Sequence, residues 1–161
     1  MKTLKNSFKD PVIFGGKLFL QIMIISGLLF TAVSCDDDDD DDDDDPIDVF
    51  TATLSGANEV PPNESNATGS AELTYNRDTR VFQVVVEYSG FEATGAHIHR
   101  GEEGVNGPVV FDFGSPASPI YYTSEPLTSE QETDLYNGLY FVNVHSEEYP
   151  AGEIRDQLRL E

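Results

Sequence analysis

From Phe82 to Tyr88 the chain alternates, with Phe82, Val84, Val86 and Tyr88 at one parity and Gln83 and Glu87 at the other. That period is the mark of a strand with one buried face. The same two-residue pattern returns over residues 48–54, 69–75, 109–113, 139–145 and 153–160, with short candidates at 96–99 and 120–123. Between these runs lie turn formers: Asn76-Arg77-Asp78, Ser89-Gly90, a glycine-rich stretch over 100–108, and Tyr149-Pro150-Ala151-Gly152. Seven or eight short strands predict an all-β domain, an immunoglobulin-like Greek-key β-sandwich, with an eight-stranded closed barrel as the alternative. One helix interrupts the pattern. Thr128-Ser129-Glu130-Gln131-Glu132 carries a hydroxyl cap followed three residues on by Gln131 or Glu132, and the helix should run to Tyr136 and stop at Asn137-Gly138.

The unbroken run of ten aspartates, Asp36 to Asp45, limits where that domain can begin. Such a block repels itself and has no apolar surface to bury, so it reads as an extended, solvated spacer. Residues 46–161, beyond the spacer, have the size of one ordinary domain. The only cysteine is Cys35, so no intramolecular disulfide exists and packing alone must hold the fold.

Residues 1–34 read as a lipoprotein signal peptide. Lys2, Lys5, Lys9 and Lys17 form a basic head, and residues 18–33 form an apolar stretch interrupted by Gln21 and Ser26. This stretch falls short of the about 20 apolar residues a membrane span needs. Ala32-Val33-Ser34 before Cys35 resembles a bacterial lipobox, although Ala32 stands where leucine is usual. Cys35 is therefore the expected lipidation site. Acidic residues directly after it resemble the surface-export signal of some Gram-negative lipoproteins, so the expected place is the outer membrane, periplasmic or surface-exposed.

All four lysines fall within residues 1–34. Beyond the aspartate run, 19 acidic side chains face five arginines, a net charge of −14. Nucleic acid is excluded as a partner, because phosphate binding requires a basic face.

The three histidines are the sharpest chemical feature. His97 and His99 flank Ile98 in Gly-Ala-His-Ile-His-Arg-Gly, so on a strand both rings share one face. His145 ends another strand. If that strand lies alongside, three neutral imidazoles converge, a set suited to copper or zinc rather than calcium or magnesium, with Glu153 or a water as fourth ligand. The alternative is structural: the histidines bond backbone carbonyls or the carboxylates of Glu102, Glu103, Glu147 and Glu148.

Several blocks occur together in order: Leu54-Ser55-Gly56-Ala57-Asn58-Glu59-Val60-Pro61-Pro62, Ala96-His97-Ile98-His99-Arg100-Gly101, Gly107-Pro108-Val109-Val110-Phe111, and Tyr140-Phe141-Val142-Asn143-Val144-His145 with Tyr149-Pro150-Ala151-Gly152-Glu153-Ile154-Arg155. This set resembles the chordin-type (CHRD) domain over nearly everything after the aspartate run. Asp156 departs from the family's usual glycine. The resemblance implies an extracellular or exported module, named after repeats in a growth-factor antagonist, whose bacterial members have no defined activity. The His-x-His pair also resembles the copper ligands of copper-zinc superoxide dismutase, but fold analogy does not carry function.

The expectation is therefore a lipid-anchored, non-catalytic binding module. It either holds copper or zinc through His97, His99 and His145, with Glu153 beside them, or contacts an extracellular protein or glycan through the loops 55–68 and 100–108. No nucleophile elbow or phosphate-cradling loop is present, and the net negative charge opposes anion turnover, so no enzymatic activity is expected. Arg155 reads as a cross-strand partner of Glu153, and Asn58 and Glu59 as residues that shape their loop.

Overall fold

A computed structural model describes residues 45–161. The expected signal peptide, the expected lipidation site at Cys35 and the spacer over 36–44 lie outside the described residues. Among the described residues nine strands and one α-helix succeed one another in order: β1 (Ile47–Ser55), β2 (Thr68–Asn76), β3 (Val81–Ser89), β4 (Ala93–Arg100), β5 (Val109–Asp112), β6 (Ile120–Thr123), α1 (Ser129–Tyr136), β7 (Tyr140–Ser146), β8 (Ile154–Gln157) and β9 (Arg159–Leu160). Every pairing is antiparallel.

The strands form one continuous sheet in the order β5-β4-β7-β8-β1-β2-β3-β6, with β9 added on β1. The sheet curls until its two halves face each other. Phe82 on β3 meets Phe111 on β5 edge-on with ring centroids 5.0 Å apart, and Tyr122 on β6 contacts Phe111 and Phe113. Among the described residues no ladder joins the end strands β5 and β6. The fold is thus all-β and sandwich-like, a half-barrel rather than a closed barrel.

Alternation decides what lies between the halves. Ala71, Leu73 and Tyr75 on β2 and Phe82, Val84 and Val86 on β3 point inward, against Ala96, Ile98, Val142, Val144 and Ile154 from the opposite half. Each fully buried Val, Leu, Ile or Phe contributes about 1.5–3 kcal/mol. The helix begins as its sequence predicts: Thr128 accepts from the Gln131 backbone N–H while the Gln131 side chain accepts from the Thr128 N–H. Arg100, at the end of β4, holds Asp134 of α1 through two hydrogen bonds of 2.6 and 3.0 Å.

The last strand differs from its reading as one continuous run. β8 lies between β7 and β1, pairing with β1 through Arg155 opposite Ser55, while β9 continues on β1 in the same register after a break over 156–158. Asp156 sits at this division, where its carboxylate accepts the Thr53 N–H at 3.0 Å and so replaces a ladder bond between β1 and β8. Leu158 is fully buried, whereas Leu160, opposite Phe50 on β1 and of the same parity, is 52% exposed.

Candidate metal centre

The candidate centre lies on the face of β4 and β7 turned away from the core. Ala96 and Ile98 fill the interior, so His97 and His99 project outward; Tyr140, Val142 and Val144 do the same for Phe141, Asn143 and His145. Register then sets the neighbours. His97 lies opposite Asn143, His99 opposite Phe141, and Gly95 opposite His145. His97 and His145 are therefore diagonal neighbours, within reach of long side chains. Gly95 supplies the room: a methyl group there would stand 3.3 Å from His97 Cε1 and 3.8 Å from His145 Cδ2.

One nitrogen from each of His97, His99 and His145 lies within 4.8 Å of the others. His97 Nδ1 is 3.1 Å from His145 Nε2. A tetrahedral zinc with Zn–N bonds of about 2.0–2.1 Å holds its nitrogens about 3.3–3.4 Å apart, so this pair already has coordination spacing.

Backbone carbonyls select the tautomers. His99 Nδ1 lies 3.0 Å from the Gly107 carbonyl and His145 Nδ1 lies 3.2 Å from that of Pro150. A carbonyl only accepts, so both Nδ1 atoms carry the proton and both Nε2 atoms keep a lone pair. His99 Nε2 is buried and has no hydrogen-bond partner among the described residues. Such outer-shell bonds to the remote ring nitrogen are what orient metal-binding histidines. Burial, reinforced by His97 and then His99, holds the His145 imidazole down to about 4. Burial likewise lowers His99, against the opposing pull of its bond to Gly107. Both rings are neutral at neutral pH, the state in which imidazole ligates.

A second layer of buried side chains supports these rings from the sheet outward. His99 stacks on Phe141 at 5.0 Å and 6°, and the Arg155 guanidinium lies 3.6 Å from the centre of the Phe141 ring. Arg155 in turn donates to Asn106 Oδ1 at 2.9 Å and to the Val105 carbonyl at 3.0 Å. It thereby pins the loop whose Gly107 holds His99. Gln157 donates to the carbonyls of Gly101 and Gly138. Glu59 completes the layer, its carboxyl pushed up to about 7 by burial against the lowering effect of Arg155.

Glu153 does not join the histidines. The group within 4.8 Å comprises His97, His99 and His145, and Glu153 Oε1 instead accepts the Ser65 hydroxyl at 2.6 Å. The reason is local: Asn63 donates to the carbonyls of Gly152 and Glu153, drawing this turn under the loop 55–68. Arg155 is correspondingly not a surface partner of Glu153 but fully buried on Phe141. Sequence pattern alone did not single out Phe141, Asn143, Gly95 or the accepting carbonyls of Gly107 and Pro150. Strand parity marks Phe141 and Asn143 as neighbours of the site, whereas the carbonyls leave no trace in side-chain pattern.

Residues 50–158 match the family model described as CHRD domain. No curated protein and no solved structure matches the chain.

Proposed function

The chain belongs to the CHRD domain family, a family of non-catalytic modules, and we propose that this member is a lipid-anchored envelope module that binds one copper or zinc ion. His97, His99 and His145 are the ligands. The observation that carries this reading is the convergence of three imidazole nitrogens within 4.8 Å, two of them Nε2 atoms whose lone pairs are left free because backbone carbonyls hold the ring proton on Nδ1. Imidazole suits copper and zinc, and three such ligands leave a fourth position to water, since Glu153 is engaged elsewhere. Anchoring through Cys35 in the outer membrane rests on the lipobox-like residues and the acidic run after them. The test is equilibrium dialysis of the full chain in detergent against copper or zinc. One ion per chain is expected, and none for the His97→Ala, His99→Ala, His145→Ala triple variant; equal uptake by both proteins removes the reading.

A second reading, recognition of an extracellular protein or glycan, has one observation in its favour. The loops 55–68 and 100–108 meet over a cavity of 390 Å³ bordered by Ala57, Glu59, Pro62, Glu103, Gly104 and Asp156. Loops on a rigid sheet are the usual place for recognition. Unchanged binding to whole cells or a glycan array after Glu103→Lys and Asp156→Lys substitution would count against it.

A further inference from the structure

The geometry points to a mixed donor set with a carboxylate behind it: the ion is held by His97 through Nδ1 and by His99 and His145 through Nε2, and Asp112 is the positioning residue that takes the outer N–H of His97. This rests on the metal reading above and specifies how the site is built.

Each ring has one nitrogen turned to its fellows and one turned away. For His99 and His145 the outward nitrogen is Nδ1, on the Gly107 and Pro150 carbonyls. His97 is reversed. Its Nδ1 faces His145 at 3.1 Å, and its Nε2 faces Asp112 Oδ1 at 4.0 Å. Register makes this pairing unavoidable, because Asp112 on β5 stands directly opposite His97 on β4. In the metal-free chain Nδ1 of His97 donates to the lone pair on His145 Nε2. A bound ion displaces that proton, the ring proton moves to Nε2, and a small rotation brings it to the carboxylate. The three rings then each have an outer acceptor, two carbonyls and one carboxylate, the pattern that fixes tautomer and raises ligand basicity.

Asp112 also accepts the Gly114 N–H at 2.8 Å, a turn bond that an asparagine in its place keeps. That separates the two roles. With full chain in detergent, labelled with 15N at histidine and loaded with zinc alone, long-range 1H–15N correlation spectra distinguish metal-bound from protonated nitrogen on each ring. The expected spectrum has zinc on Nδ1 of His97 and on Nε2 of His99 and His145. Asp112 is 69% exposed at its side chain, so Asp112→Asn should weaken zinc binding at the lower end of the known range for such partners, about tenfold. Asp112→Ala should weaken it about as much, and Glu72→Gln, a control for net charge on β2, should leave it unchanged. Zinc on Nε2 of His97, or wild-type affinity in Asp112→Ala, which removes the acceptor, overturns this inference alone. Failure of the wild-type chain to take up zinc overturns the metal reading and this inference with it.

Discussion

His97 Nδ1 and His145 Nε2 stand 3.1 Å apart although 48 residues separate them in the chain. They meet because β4 and β7 run antiparallel with Gly95 opposite His145, so the missing side chain at 95 lets the two rings lean together.

Gly95→Ala therefore tests the site apart from the fold. Alanine in a strand interior is ordinarily favoured over glycine by about 0.5–1 kcal/mol, and here that gain is offset by contact with the His97 ring. We expect a change in chemical-denaturation stability below about 1 kcal/mol. Metal affinity, read by competition with a chromogenic chelator, should fall several-fold as His97 is displaced.

His99→Phe should separate binding from stability as well. The phenyl ring keeps the stack on Phe141 and removes a buried nitrogen with no partner, while the bond to Gly107 is lost. These terms oppose each other, so apo stability should shift by no more than about 1 kcal/mol. Metal binding should be lost, and dialysis with elemental analysis checks it.

Arg155→Met leaves the Asn106 oxygen and the Val105 carbonyl without their donor and frees the loop over 101–108. We expect a loss of about 2–3 kcal/mol in urea denaturation. Metal affinity should fall too, because Gly107 holds His99 from that loop. Wild-type stability in this variant would show that the guanidinium contacts contribute nothing.

Two groups make opposite contributions to the pH dependence of the metal-free domain. Glu59 titrates near 7 when folded and near 4.5 when unfolded, so its contribution is complete below pH 4.5 and is lost as pH rises to about 7. His145 titrates near 4 when folded and near 6.5 when unfolded, so its contribution is present above pH 6.5 and is lost as pH falls to about 4. Glu59→Gln mimics the neutral acid. Its stability relative to wild type should therefore rise between pH 4.5 and 7, and parallel denaturation curves across that range would contradict the assignment.

Period two made most of this fold legible, since β2, β3, β4 and β7 each bury the parity that their residues predict. It also put His97 and His99 on one face. It did not reveal that the outward face of β7 and β8 is itself covered. Phe141, Asn143, Arg155 and Gln157 occupy outward positions yet are buried, because the loops 55–68 and 100–108 fold down over them. Alternation distinguishes two faces of a strand but carries no information about a loop lying on the outer one. Leu160 differs for another reason: it keeps its period-two register, opposite Phe50, yet stays 52% exposed, because parity assigns a face and not whether anything covers it. The expectation of Glu153 as a fourth ligand fails because Ser65, 88 residues away, claims its carboxylate instead.

The most direct measurement is elemental analysis of the full chain isolated from the cells that make it, with no metal added and chelators absent throughout. One copper or zinc per chain is expected, falling to none when His97, His99 and His145 are replaced by alanine. Metal-free protein that also fails to take up either ion on dialysis, or a metal content unchanged by the triple substitution, would contradict the three-histidine centre.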